Sequence, residues 1–408
     1  MTLGSLFDGI GGFPLAAVKV GITPVWASEI EAAPVSITMR HFPGMWHLGD
    51  ITKINGAEIE PVDIITFSSP CQDLSITGKR AGLEGKRSGL FIHALRVIRE
   101  MRVATNGKYP ARIVWENVPG AFSSQRGRDF LTVIEEISKI ADAGISIPRP
   151  SSRDGWLSAG AVVGDCWSLA WRVLDAQYWG VPHRRSRIFL VADFGARCAG
   201  EILFKPESGT GCNEEGGTPR EGVAGNGEKG VEQYVVNGGY SSDRIQVNPE
   251  VAVTLKSNGK GVCEDVSYTL NATDRHAVVV LNDQGGNSIS IEAPDISPCL
   301  RSECHGNLPI VAEFTNYQET VGCLVARDYK GVSNQYVEED KCICDSGGVR
   351  RLTPTECERL QGFPDGWTEY GHDGKRISDN QRYKALGNSV AIPCVVFILS
   401  RMIQEKRE

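Results

Sequence analysis

The chain has 408 residues, of which 41% are hydrophobic and 23% charged, ordinary proportions for a globular protein with one large core and a second, smaller one. No apolar stretch is long enough to cross a bilayer, and the opening Met1-Thr2-Leu3-Gly4-Ser5-Leu6-Phe7 lacks a basic region and a cleavage site, so a cytoplasmic protein without a membrane partner is expected. A formal charge of -7 argues against nucleic-acid binding when taken alone, although binding needs only a local basic surface.

Leu3 to Phe7 reads as a first strand. Gly9, Gly11 and Gly12 follow as a turn into a helix beginning at Pro14, where the missing proline N–H would be unpaired in any case. Such a loop lets the backbone approach a ligand closely. A dinucleotide fingerprint requires glycine where Pro14 stands, which weakens that reading. Pro24-Val25-Trp26-Ala27 is a second strand, and Glu29 beyond it is placed to accept hydrogen bonds from ribose hydroxyls. Asp50, after Leu48-Gly49, ends a short third segment.

The apolar run Asp63-Ile64-Ile65-Thr66-Phe67-Ser68 reads as a buried strand and leads into Ser69-Pro70-Cys71-Gln72-Asp73-Leu74. A cysteine beyond the carboxyl end of such a strand points into the crevice where open α/β sheets bind ligands. A helix follows, with Ser88 as a candidate N-cap and Leu90, Phe91, Ala94, Leu95, Ile98 and Met101 on one face. The next strand, Arg112-Ile113-Val114-Trp115, ends in Glu116-Asn117-Val118-Pro119-Gly120. Strand, helix and strand make a right-handed parallel unit, so Cys71 and Glu116 belong on one rim. A thiol beside a carboxyl group is a candidate reaction centre.

Residues 1 to about 200 alternate strand and helix patterns, as in an α/β, doubly wound, mostly parallel sheet. The stretch from Asp142 to Trp171 is an insertion with no evident role. Composition changes near Lys205-Pro206, and residues 207–230 read as a flexible linker. From 234 to about 344, short β-branched runs alternate with turns. Val253 to Ser257, Tyr268 to Ala272, Pro298 to Ser302 and Gly322 to Ala326 are candidate copies of one strand-and-turn unit. Thr353 or Thr355 can cap a helix start. Residues 391–406 form an amphipathic helix through Val396, Leu399 and Ile403. Three segments are therefore expected: 1–205, a β-rich module at 206–348, and a final segment at 349–408 where the texture changes back. The twelve cysteines should be reduced thiols in a chain without an export signal. Cys299, Cys304, His305, Cys323, Cys342 and Cys344 lack paired Cys-x-x-Cys spacing, and no metal site is expected.

Pro70-Cys71-Gln72 followed by Glu116-Asn117-Val118 resembles the cytosine-C5 DNA methyltransferases of bacteria and phages. Other motifs follow in that family's order: Phe7-Asp8-Gly9-Ile10-Gly11-Gly12; Gln177-Tyr178-Trp179-Gly180-Val181-Pro182 with Arg184-Arg185-Ser186-Arg187; Arg351-Leu352-Thr353-Pro354 with Glu358-Arg359-Leu360-Gln361-Gly362-Phe363-Pro364; and Tyr383-Lys384-Ala385-Leu386-Gly387-Asn388-Ser389-Val390. The resemblance implies a Rossmann-like methyltransferase fold with an inserted target-recognition domain. It implies S-adenosylmethionine as cofactor, held by Phe7, Asp8, Gly9, Gly11, Gly12, Glu29, Ile30, Asp50, Ile51, Pro70, Asn388, Ser389 and Val390, with Asp50 at the adenine amino group.

The implied chemistry suits these residue types. A thiolate from Cys71 adding to C6 of cytosine turns C5 into a carbon able to attack a methyl donor. A protonated Glu116 stabilises the charge building at N3. Asn117 positions its loop, Arg187 contacts the cytosine O2 and Arg185 supports the closed loop, the alternative being that both arginines contact phosphate. In duplex DNA the target base must be flipped out. The loop from Ser75 to Gly89 is a candidate lid, with Gln72, Ser75, Lys79, Arg80, Lys86 and Arg87 as DNA contacts, and residues 231–345 would read bases in the major groove. The expected protein is a monomer acting on double-stranded DNA, with any cognate restriction endonuclease a separate protein. An oxidoreductase, an inactive DNA-binding protein and an RNA methyltransferase are the rival readings.

Overall fold

The computed structural model describes residues 1–69, 89–148, 150, 155–204 and 348–404, and, between 277 and 345, residues 277–282, 288–292, 310–314, 321–326, 328 and 341–345. The first half builds one sheet from β1 (Thr2–Leu6), β2 (Thr23–Ser28), β3 (Trp46–His47), β4 (Ile64–Phe67), β5 (Arg112–Asn117), β6 (Ala159–Val163), β7 (Ser168–Asp175) and β8 (Ser186–Asp193). Their order is β3-β2-β1-β4-β5-β8-β7-β6. The first five strands pair in parallel. From β5 onward, through β8, β7 and β6, the pairing is antiparallel. The parallel part is thus the half that begins the chain, and the other half turns by hairpin.

Side chains alternate between the two faces with the period of two that extended backbone imposes. On β5, Val114 joins one core while Ile113 and Trp115 join the other; on β8, Phe189 and Val191 oppose Ile188, Leu190 and Ala192. Both faces are covered, as a parallel sheet requires. One core lies under α1 (Gly12–Lys19), α2 (Ala32–His41), α5 (Ala199–Leu203) and α8 (Ile392–Gln404), and the other under α3 (Gly89–Ala104) and α4 (Arg128–Ser138). Helix α3 buries Phe91, Ala94, Leu95, Val97, Ile98 and Met101, the expected stripe with Val97 added and Leu90 only partly buried at its margin. Helix α8 buries Ile392, Cys394, Val395, Ile398, Leu399 and Met402, leaving the expected Val396 and Ile403 at the margin of the core.

The insertion acquires a role. Its β6–β7 hairpin, closed by the Gly164 N–H donating to the Trp167 carbonyl at 2.9 Å, extends the sheet at the β8 edge. Trp156 and Trp171 pack edge-on against Phe130 of α4, with ring centroids 5.1 and 5.6 Å away.

The described strands of the second half, β9 (Ala277–Asn282), β10 (Ser288–Glu292), β11 (Ile310–Phe314), β12 (Cys342–Asp345) and β13 (Gly348–Arg351), form an antiparallel sheet in the order β11-β9-β10-β13-β12. Strand β13 carries this sheet past residue 348, where the boundary was expected. Of the four candidate repeats, the first three lie outside the described residues. Gly322 to Ala326 is not a strand, because Val321 bridges to His183 instead of entering a ladder.

Helix α6 (Pro354–Gln361) starts on a capping box: the Thr353 hydroxyl accepts from the Glu356 N–H and the Glu356 carboxylate accepts from the Thr353 N–H. Helices α7 (Asp379–Asn388) and α8 then return to the first half. The Trp367 indole donates to the Ile10 carbonyl at 2.8 Å, and the Arg112 guanidinium to the Met402 carbonyl at 2.9 Å. No single helix among the described residues is long and apolar enough to cross a membrane.

Candidate active site

Strand β1 has β2 on one side and β4 on the other, and the chain order reverses there. That reversal opens a crevice above the carboxyl ends of the strands. The loop leaving β1 bends sharply: Phe7 (φ 55°), Gly9 (φ 59°) and Gly11 (φ 80°) all occupy the left-handed region. A phenylalanine there is strained, and such strain concentrates at functional sites. A side chain at Gly9 would meet no atom within 4 Å, so the backbone there faces open space.

Glu29 organises this loop. One carboxylate oxygen accepts from the Gly9 N–H at 2.9 Å, and the other from the N–H groups of Ile30 and Glu31 at 2.7 and 3.0 Å. Ile30 beside it is 74% exposed, an apolar surface at the mouth of the crevice. Asp50 accepts from the Thr52 N–H and hydroxyl, which hold its carboxyl below the usual range. The Ile51 side chain is buried in the core beneath and lines no open face.

The C-terminal motif forms the wall behind the loop. A β-carbon on Gly12 would lie 2.7 Å from Val390 Cγ2 and 3.2 Å from Ser389 Oγ, so only glycine permits this approach. Asn388 is exposed at the end of α7. Ser389 Oγ is buried and, like both carboxyl oxygens of Asp8, lacks a hydrogen bond of good geometry. Burial pushes the Asp8 carboxyl up to about 7; the Ser5 hydroxyl acts against this and the Glu29 charge adds to it.

A second group of residues gathers on the neighbouring strand ends. Glu116, at the end of β5, is 4% exposed. Its Oε1 lies 3.2 Å from Arg187 Nε, and its Oε2 accepts from the Ser68 hydroxyl. Arg187 reaches it because β8 runs antiparallel to β5, which sets the start of one strand beside the end of the other. The Asn117 amide donates to the Ser69 carbonyl at 3.0 Å, and the Trp115 indole to the Ser69 hydroxyl at 3.2 Å. Ser69 is thereby held from β5, one residue before Pro70 and two before Cys71.

Arg185 lies just before β8 and is 3% exposed. Its guanidinium donates to the carbonyls of Leu324 (2.9 Å), Gly387 (3.1 Å) and Ser389. Burial, and then the charge of Arg187, pull its pKa down to about 10. Arg185 and Arg187 therefore face different partners: one ties distant segments together, the other meets Glu116. The Cys323 thiol lies 3.6 Å from both guanidinium groups.

Sequence reasoning missed His183, fully buried between two motifs. Its Nδ1 donates to the Leu360 carbonyl at 3.2 Å, and its Nε2 accepts from the Leu324 N–H at 3.1 Å. These bonds fix a neutral tautomer, and burial reinforced by Arg185 and Arg187 drives its pKa down to about 3. A histidine flanked by Pro182 and Arg184 carries no periodic signal. Ser68 and Ser69 were read only as the approach to Cys71, whereas both bond to β5. Pro70, Cys71, Gln72, Ser75, Lys79, Arg80, Lys86, Arg87 and Ser88 lie outside the described residues, as do Cys299, Cys304 and His305.

The family model described as C-5 cytosine-specific DNA methylase matches residues 1–195 and 266–404. The chain is 28% identical, over 98% of its length, to a protein of Escherichia phage P1 named DNA N-6-adenine-methyltransferase, and spans 60% of that longer protein. It is 26% identical, over 98% of its length, to the Type II methyltransferase M1.ScrFI of Lactococcus lactis subsp. cremoris, of which it spans 77%. Among solved structures, the Entamoeba histolytica methyltransferase EhMeth aligns with all of this chain and 99% of its own at a TM-score of 0.53 and 14% identity, a likeness of fold.

Proposed function

This chain belongs to the C-5 cytosine-specific DNA methylase family, S-adenosylmethionine-dependent DNA cytosine-5-methyltransferases, and we propose that it methylates a flipped-out cytosine through a covalent bond from Cys71 to C6. The observation that carries this reading is the convergence of Ser69, Glu116, Asn117 and Arg187 on one rim, with Cys71 two residues beyond a backbone that β5 holds in place.

The cofactor crevice fits its ligand. The open backbone at Gly9, the Glu29 carboxylate, the exposed Ile30 and the unpaired Ser389 hydroxyl offer a close approach, acceptors for ribose hydroxyls, an apolar surface and a donor. Phe7, Asp50 and Asn388 would complete the site. When bound, S-adenosylmethionine supplies an electrophilic methyl group.

The chain's own residues do the remainder. The thiolate of Cys71 adds to C6, the C5 carbon becomes nucleophilic, and elimination after loss of the C5 proton restores the ring. Glu116 gives a proton to N3 as the thiolate adds and takes it back on elimination. Arg187 holds the Glu116 carboxyl from one side and contacts O2 of the base. Arg185 acts at one remove, fixing the carbonyls of Leu324, Gly387 and Ser389 around the site. Lys79, Arg80, Lys86 and Arg87 contact phosphates, with Gln72 and Ser75 nearer the base, and residues 231–345 select the DNA sequence. The protein acts as a cytoplasmic monomer, in a bacterium or a phage-infected host, and any companion endonuclease acts separately.

The phage P1 relative is named for methylation of adenine N6. An exocyclic amine carries its own lone pair and needs no thiol addition, so the Cys71 and Glu116 motifs favour cytosine here. Incubation with labelled cofactor and DNA or RNA, followed by nucleoside analysis, tests the reading. Label in 5-methylcytosine from DNA alone is expected; label in N6-methyladenine, or from RNA, would overturn it.

A further inference from the structure

Glu116 is held from two chemically different sides. Arg187 can only donate, and its Nε lies 3.2 Å from Oε1. Ser68 is a hydroxyl, able to donate and accept. Two acceptors lie within its reach: Glu116 Oε2, and the backbone carbonyl oxygen of the same residue at 3.4 Å. Its single proton can point at only one of them at a time.

We propose that Ser68 is a positioning residue for Glu116, satisfying both protonation states of its carboxyl group by turning one hydroxyl. When Glu116 is ionised, Ser68 donates to Oε2. When Oε2 carries a proton, Ser68 accepts from it and turns its own proton onto the Glu116 carbonyl. As the bond from the Cys71 sulfur to C6 forms, the Oε2 O–H turns from Ser68 to N3 and gives up its proton there, and the serine hydroxyl swings back to the carboxylate. On elimination the bond to sulfur breaks, the proton returns from N3 and the hydroxyl turns again. Ser68 gains and loses no proton. Its contribution is that neither state leaves a buried oxygen unpaired, which costs more than a hydrogen bond gains.

This inference rests on the reading of Glu116 as the proton donor to N3, and the test separates the two. Methyl transfer to DNA is measured against pH for the wild type, Ser68→Ala, Ser68→Thr and Glu116→Gln, with cofactor affinity measured alongside. Ser68→Ala should lower kcat about tenfold and move the alkaline limb of the rate profile upward, because an ionised carboxylate loses more than a neutral carboxyl on losing a donor. Cofactor affinity should stay within about twofold of the wild type, as Ser68 lies outside the β1 loop. Ser68→Thr, which keeps the hydroxyl, should restore rate and profile. A wild-type rate and profile in Ser68→Ala overturns the inference, as does equal impairment of the Ala and Thr variants. If Glu116→Gln is slow while Ser68→Ala is normal, only the role of Ser68 falls; if Glu116→Gln is as fast as the wild type, the Glu116 reading falls and takes this inference with it.

Discussion

Arg185 donates a hydrogen bond to the backbone carbonyl of Ser389, 204 residues further along the chain. The same guanidinium binds Leu324 and Gly387, so one buried side chain joins the start of β8, the segment between β11 and β12 of the β-rich insertion, and the C-terminal motif. Lysine cannot satisfy three carbonyls from one rigid fork. Arg185→Lys should destabilise the protein by about 2–4 kcal/mol, since buried carbonyls are left unpaired. Urea denaturation followed by tryptophan fluorescence measures this, and a midpoint unchanged from the wild type would contradict it.

Gly12 should tolerate no side chain. A methyl group there collides with Val390 and crowds the Ser389 hydroxyl, and relieving such overpacking costs about 1–3 kcal/mol. The displaced residues belong to the proposed cofactor site, so Gly12→Ala should weaken binding of S-adenosylhomocysteine at least about tenfold, the equivalent of 1.4 kcal/mol. Calorimetric titration checks it; unchanged affinity would remove Ser389 and Val390 from the site.

Asp8 sets a pH dependence of stability. Its carboxyl rises from 3.8 to about 7 on folding, mainly through burial. A group that binds its proton more tightly when folded contributes fully below about pH 4, and the contribution is lost as pH rises through about 7. Asp8→Asn mimics the neutral form. It should flatten the decline in stability between pH 5 and pH 8 and raise stability at pH 8 by up to a few kcal/mol. Urea midpoints at the two pH values decide this; equal pH dependence in both proteins would rule out Asp8 as the titrating group.

The parts legible in the sequence were those written in local pattern. The apolar run at Ile64–Phe67, the α3 stripe from Phe91 to Met101, a helix cap at Thr353 or Thr355 and the glycines after β1 each follow from short-range rules, and the structure holds each one, with Thr353 as the cap. What escaped depends on contacts made far along the chain. The antiparallel turn from β5 to β8 is fixed by the pairing of Glu116 with Phe189, which no local signal announces. Arg185 and Arg187 are two residues apart, a spacing that on a strand puts both on one face; but Arg185 precedes the strand, where its N–H bonds to Asp175 and its side chain turns to the C-terminal motif. The tryptophans of the insertion became intelligible only once Phe130 stood beneath them.

Sequence specificity should be transferable. The family model leaves residues 196–265 unmatched and resumes at 266, so the chain departs from the family pattern in the stretch that leads into the β-rich strands. Replacing residues 231–345 with the corresponding part of a relative should change the methylated sequence, read by bisulfite sequencing, while cofactor binding survives. A folded chimera that still methylates the original site would place the reader elsewhere.

The central claim is the covalent role of Cys71, and a trapped adduct tests it most directly. Cytosine carrying fluorine at C5 cannot complete the elimination step, so the bond to the enzyme persists. Incubation of the protein with such DNA and S-adenosylmethionine should yield a complex that survives denaturation. Cys71→Ser should abolish it, because a serine hydroxyl is far less ionised than a thiol at neutral pH. An adduct of undiminished yield in the Cys71→Ser protein would contradict the account.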